Sequence, residues 1–109
     1  MHELAITDSL VAAVSENVRG AKVTRVVLEI GELSGVAADS VSFCFDLCAQ
    51  GTALEGARLE IVEIPGRARC RQCADAVEVV GGIGLCGCGS ADVELLSGRE
   101  LKIREVELA

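Results

Sequence analysis

Four cysteines in the second half of the chain have the spacing of metal ligands. They form two pairs, Cys70-x-x-Cys73 and Cys86-x-Cys88, with twelve residues between the pairs. Four thiolates form a soft, tetrahedral donor set that selects zinc, and a closed shell of four protein ligands leaves no position for water or substrate. The pattern therefore predicts a structural zinc site rather than a catalytic one.

The segment that carries these cysteines, residues 67–97, is rich in glycine and has only weak hydrophobic periodicity. Such a segment buries too little apolar surface to order itself, so a bound metal is favoured over the alternatives of two disulfides or four free thiols. The second pair is Cys-x-Cys where Cys-x-x-Cys is usual. We therefore expect the second turn to be the tighter one.

The second candidate site is the start of the chain, where the only histidine, His2, follows Met1. The α-amino group of Met1, the amide nitrogen and imidazole of His2 and the amide nitrogen of Glu3 can bind one ion in fused chelate rings. An amine and deprotonated amides favour tetragonal Ni(II) or Cu(II) over tetrahedral zinc. The alternative is that His2 is a solvated side chain with no role.

The hydrophobic pattern predicts the elements that position these groups. Apolar residues recur at helical spacing in two segments and alternate with polar ones in three others. The predicted order is a helix over 4–18, a strand over 22–30, a helix over 39–50, a strand over 58–64, the cysteine insert, and a strand over 100–108. The last strand is expected to return to the sheet begun before the insert.

Two further cysteines, Cys44 and Cys48, share the predicted apolar face of the second helix with Val41 and Phe45. Thiols in such positions usually pack in a core. We therefore interpret them as core residues in preference to a second metal or redox site.

Composition and charge exclude several classes of function. The net charge is -7, and no stretch gathers lysine or arginine into the stripe that a phosphate backbone requires. No apolar run approaches the roughly 20 residues of a membrane span, and no basic and apolar leader is present. We expect a cytoplasmic protein that binds neither nucleic acid nor membranes.

Taken together, these sequence features resemble those of a known family, the hydrogenase maturation proteins HypA and HybF. The resemblance covers essentially the whole chain and combines an N-terminal Met-His-Glu with a late four-cysteine insert. It is carried by Met1-His2-Glu3-Leu4, the segment from Val26 to Leu33, Phe43-Cys44-Phe45, Gly51-Thr52, the segment from Gly56 to Leu59, Cys88-Gly89-Ser90, and the segment from Ser97 to Leu101.

The resemblance implies an α/β (α+β) protein with a small sheet of about three strands, two helices and an inserted, zinc-ribbon-like four-cysteine domain. It divides the chain into a nickel-binding domain, 1–66 completed by 98–109, and a zinc-binding domain, 67–97. It assigns nickel to Met1, His2 and Glu3, and zinc to Cys70, Cys73, Cys86 and Cys88.

The resemblance also implies a function: a metallochaperone, not an enzyme, that carries Ni(II) for the maturation of nickel–iron hydrogenase. The implied partners are the GTPase HypB and the precursor of the hydrogenase large subunit, with the chain a monomer or weak homodimer. Two alternatives remain at this level, a zinc-ribbon module that binds nucleic acid and a structural zinc adaptor in which His2 is incidental.

Overall fold

The computed structural model describes residues 2–80 and 83–109, and it contains two helices and seven strands within them. The elements in chain order are α1 (Glu3–Val18), β1 (Val23–Gly31), α2 (Ala38–Ala49), β2 (Arg58–Ile64), β3 (Arg67–Cys70), β4 (Ala76–Val80), β5 (Ile83–Gly84), β6 (Val93–Ser97) and β7 (Leu101–Leu108). Each predicted helix and strand is present, with ends within about two residues of those expected. No helix of the described residues is long and apolar enough to cross a membrane.

The first sheet has the strand order β2-β1-β7. Strands β1 and β2 are parallel and joined by α2, whereas β7 pairs antiparallel with β1 on its other edge. A parallel pair needs a crossover connection, which α2 supplies. The last strand thus returns beside β1 after the insert, as the sequence predicted.

The two helices pack against one face of this sheet. Val26, Leu28 and Ile30 of β1 belong to the buried clusters that include Val14 of α1 and Val41 of α2. The predicted alternation of β1 is therefore confirmed on this face. Val27, on the other side of the strand, is also buried, as befits the central strand of the sheet.

The cysteine insert forms a second sheet, with the strand order β5-β4-β3-β6 and antiparallel pairing throughout. Its small core consists of Ala68, Cys70, Val77, Val79 and Cys86. These strands were not predicted from hydrophobic periodicity, because they are short and one face of the sheet is mostly exposed. The fold is α+β with a small three-stranded sheet, two helices and a four-cysteine insert, as expected.

The two sheets meet at a junction of three glycines that lies between the ends of β1, β2 and β7. A Cβ atom at Gly31 would overlap the Gly98 carbonyl group, and one at Gly98 would lie 2.8 Å from the Cα atom of Gly66. The Leu33 N–H donates to the Gly98 carbonyl oxygen at 2.6 Å, and the Leu33 side chain packs against the core of the insert. The backbones approach so closely here that only glycine fits.

Candidate metal centres

The structure brings the four insert cysteines together at one end of the second sheet. Their sulfur atoms all lie within 4.8 Å of one another, with Cys70 and Cys88 3.7 Å apart and Cys73 and Cys86 3.4 Å apart. A tetrahedral ion with metal–sulfur bonds of about 2.3 Å needs sulfur atoms somewhat less than 4 Å apart. Four thiol groups at these separations fit one tetrahedral ion.

Two tight turns present these sulfur atoms. The Ala74 N–H donates to the carbonyl oxygen of Cys70 at 2.9 Å, and Ala74 adopts φ 65°. In the second turn the Gly89 N–H donates to the carbonyl oxygen of Cys86 at 2.9 Å, and Gly89 has φ 91°. The hydrogen bond of the first turn joins residues four positions apart and that of the second joins residues three positions apart. The shorter cysteine pair therefore has the tighter turn.

Burial and charge divide the cluster into two inner and two outer thiols. Cys70 and Cys86 are buried, whereas Cys73 and Cys88 are exposed. The Cys73 and Gln72 N–H groups point at the Cys70 sulfur and lower its pKa, although burial opposes them. At Cys73 the Asp75 N–H lowers the pKa, but contact with Cys86 and burial outweigh it and raise the pKa. Four neighbouring sulfur atoms resist losing all their protons unless a cation compensates the charge.

The N-terminal candidate lies at the start of α1. His2 is the N-cap residue of this helix and is exposed, and its carbonyl oxygen accepts the first helical hydrogen bond, from the Ile6 N–H at 2.9 Å. The amides of residues 2 and 3 precede this ladder, since the first N–H groups of any helix have no intrahelical acceptor. Loss of these amide protons to a metal would therefore break no helical hydrogen bond. Met1, the remaining predicted ligand, lies outside the described residues.

Glu3 has a position that the sequence did not reveal. Its side chain is buried, and its carboxylate accepts a hydrogen bond from the Ala37 N–H at 3.2 Å, just before α2. Hydrogen bonds to the carboxylate, among them the one from Ala37, lower the pKa of Glu3 to about 2. One sequence signal pointed to such a contact: α2 begins after an alanine, which has no side-chain oxygen to cap the helix.

Cys44 and Cys48 lie at the margin of the core, where Cys48 packs against the buried cluster as expected, whereas Cys44 does not belong to that cluster. The buried residues of α2 are Val41, Phe45 and Ala49, so the two thiols lie on the adjacent flank and are half-buried. Burial, Asp8 and Cys44 raise the pKa of the Cys48 thiol. Among the described residues, Cys44 and Cys48 belong to no group of three or more potential metal ligands, so no second metal site is assigned to this pair.

Comparison with known proteins agrees with this architecture over nearly the full chain. The family model described as "Hydrogenase/urease nickel incorporation, metallochaperone, hypA" matches residues 1–108. The hydrogenase maturation factor HypA of Trichormus variabilis is 56% identical over 108 residues, which cover 99% of this chain and 96% of that protein. HypA of Nostoc punctiforme is 55% identical over the same shares of the two chains.

A solved structure shares the fold. The solution structure of the Ni metallochaperone HypA from Helicobacter pylori has a TM-score of 0.67 and 26% sequence identity, with 99% of this chain and 97% of that chain covered. The four-cysteine cluster, the α+β architecture and the length of the matches agree with one another. The chain belongs to the HypA family of nickel-incorporation metallochaperones.

Proposed function

We propose that this chain binds Ni(II) through the amine of Met1, the imidazole and amide of His2 and the amide of Glu3, and delivers it for the maturation of nickel–iron hydrogenase. The observation that carries the proposal is the start of α1, where an exposed histidine and two amides outside the helical ladder follow the chain's first residue. Relatives at 55–56% identity are hydrogenase maturation factors, which supports hydrogenase over urease as the destination.

In this proposal the nickel ion can be exchanged because its ligands belong to the amino terminus of the chain. An acceptor can replace the ligands one at a time, and protonation of the amine, the imidazole and the amides favours release as the pH falls. The Glu3 carboxylate acts as a support: its hydrogen bond to Ala37 links the start of α1 to that of α2. The chain is a carrier and not an enzyme.

The four cysteines hold zinc in a structural role. A closed set of four thiolates suits Zn(II) and supplies the order that the small core of the insert lacks. On this basis we divide the chain into a nickel-binding domain, 1–66 with 98–109, and a zinc-binding domain, 67–97. The proposed setting is the cytoplasm, where thiols stay reduced, and the proposed partners are the GTPase HypB and the hydrogenase large-subunit precursor, with the chain a monomer or weak homodimer.

Nickel titration of the zinc-loaded chain by calorimetry tests the N-terminal site. We expect His2→Ala, and a variant with one residue added before Met1, to lose at least about tenfold in nickel affinity, which corresponds to about 1.4 kcal/mol. The matched control carries the same extra residue after Ala109 and should bind nickel like the native chain. Equal nickel affinity in all four proteins would show that the N-terminal site is wrong.

A further inference from the structure

A patch of exposed apolar side chains lies beside the start of α1. Phe43 and Leu47, one turn apart on the outer side of α2, are 87% and 63% exposed, and Leu4 of α1 is 51% exposed. The Cys48 sulfur lies 4.0 Å from the Leu4 carbonyl oxygen, which brings the Leu47 end of α2 against the first turn of α1. We call Leu4, Phe43 and Leu47 the outer patch.

Within residues 2–80 and 83–109, no packing contact covers the side chain of Phe43, which is 87% exposed. It is one of two aromatic residues, and the other, Phe45, is buried in the core at 5% exposure. Aromatic side chains dominate the energetics of protein interfaces, and an exposed cluster of this kind marks a binding surface.

The charged side chains on the two helices that carry the outer patch are all acidic. Helices α1 and α2 contain five acidic residues and no lysine or arginine, although the chain as a whole has ten basic residues. Asp39 and Asp46 flank Phe43 at helical positions i−4 and i+3, where side chains are neighbours, and both are exposed. A second copy of the chain that used the same face would bring like charges together, whereas a basic surface would be attracted.

The outer patch is continuous with the proposed nickel site, because Leu4 directly follows Glu3. A protein that takes nickel from His2 by ligand exchange must approach this end of α1 and cover the neighbouring surface. We propose that the outer patch is the docking surface for the protein that receives the nickel, and that this acceptor presents an apolar pocket surrounded by lysine and arginine side chains. The proposal rests on the nickel-delivery function.

Biolayer interferometry between the nickel-loaded chain and the purified hydrogenase large-subunit precursor tests the apolar part of the surface. We expect Phe43→Ala and Leu47→Ala each to weaken binding about tenfold, since central aromatic and aliphatic anchors carry most of an interface's affinity. Ile83→Ala, which truncates a residue that is 71% exposed at the far end of the insert, is the matched control and should change affinity less than about twofold.

The same measurement with reversed charges tests the chemistry of the partner. We expect Asp46→Lys to weaken binding about fivefold at low salt and to reduce its salt dependence, whereas Glu94→Lys, an exposed position in the insert, should do neither. Unchanged affinity of Phe43→Ala for the precursor overturns the proposal. So does a loss confined to binding of the GTPase HypB or to self-association of the chain.

Nickel titration of each variant alone separates the two proposals. Phe43→Ala and Asp46→Lys are expected to keep the native nickel affinity, because neither residue is a proposed ligand. If the native chain binds no nickel yet still binds the precursor through the outer patch, the nickel-delivery proposal fails and the docking surface remains. If nickel binds and Phe43 has no effect on docking, the docking surface fails alone.

Discussion

At the scale of single residues, the candidate metal ligands were the part of the molecule most open to sequence analysis. A four-cysteine pattern and a histidine beside the amino terminus are defined by residue type and spacing, and both can be read without the fold. Burial was harder to predict. In α1 the apolar positions Ile6, Leu10, Val14 and Val18 recur at helical spacing, but only Val14 of these is buried; the other buried residues are Glu3, Thr7 and Val11.

The reason lies in polar groups that find partners inside the protein. The Thr7 hydroxyl donates to the Glu3 carbonyl oxygen at 2.6 Å, one turn back, and the Glu3 carboxylate accepts from Ala37, 34 residues away. Buried polar groups with hydrogen bonds are tolerated, and hydrophobicity alone does not identify them. A contact between residues so distant in sequence leaves no local pattern.

The low pKa of Glu3 gives a prediction about stability and pH. A carboxyl whose pKa falls from 4.5 to about 2 on folding stabilises the protein above pH 4.5, and this contribution is lost as the pH falls toward 2. We therefore expect the native chain to exceed Glu3→Gln in free energy of unfolding at pH 7 and pH 5, with a gap that shrinks at pH 3.5 and shrinks further at pH 2.5.

Urea unfolding at these four pH values measures the gap, with both proteins kept metal-free and reduced so that loss of zinc at low pH does not contribute. Glu16→Gln is the matched control, because Glu16 is on the same helix and exposed, and its stability should follow that of the native chain. A difference between the native chain and Glu3→Gln that stays constant from pH 7 to pH 2.5 would contradict the account of Glu3.

At the scale of helices and strands, periodicity located the long elements well and the short ones poorly. The strand predicted at 58–64 has the same limits in the structure, and β1 and β7 are each displaced by only a residue. The insert strands of two to five residues escaped prediction, because a strand of that length offers too few alternations to be distinguished from a loop.

The glycine junction gives a prediction at this scale. Gly31→Ala places a methyl group against the Gly98 carbonyl group, and neither backbone can move without disturbing the β1–β7 pairing. We expect a loss of about 2 kcal/mol in the free energy of unfolding, typical of an overpacked site. Urea unfolding of the zinc-loaded protein measures it.

Gly87→Ala is the matched control for Gly31→Ala. It adds the same methyl group where no atom lies within 4 Å. Its stability should stay within about 0.5 kcal/mol of the native chain. If Gly31→Ala were no more costly than Gly87→Ala, the junction would not be as tightly packed as the structure has it.

At the scale of the whole molecule, the two sheets have separate cores that differ in size. The helices and the first sheet bury two clusters of large aliphatic side chains, whereas the insert buries only a few residues, two of them proposed zinc ligands. The sequence favours a bound metal in the insert, which stays a prediction, but it does not indicate that the insert forms a four-stranded sheet. That sheet depends on pairings between strands that no local signal specifies.

Removal of zinc is predicted to destabilise the second sheet while the first sheet stays stable. After chelation under reducing conditions, we expect amide hydrogen exchange to accelerate over 67–80 and 83–97, because the zinc-binding free energy is the main source of order in the insert. Amides of β1 should keep most of their protection. Exchange measured by mass spectrometry on the native chain and on Cys86→Ser checks this, and an insert that keeps its protection without metal would contradict the structural role of zinc.

Because β7 is the last strand in the sequence and pairs with the edge of β1, the first sheet is completed only at the end of synthesis. The ribosome releases Cys70, Cys73, Cys86 and Cys88 before residues 101–108, so the zinc turns are available while one edge of β1 is still bare. The sheet that supports the proposed nickel site is completed last, by a strand that reaches β1 only after the whole insert has been synthesised. A nascent chain deprived of zinc would therefore carry an unordered insert beside an open sheet edge until β7 pairs, a state exposed to aggregation and proteolysis before any nickel is bound.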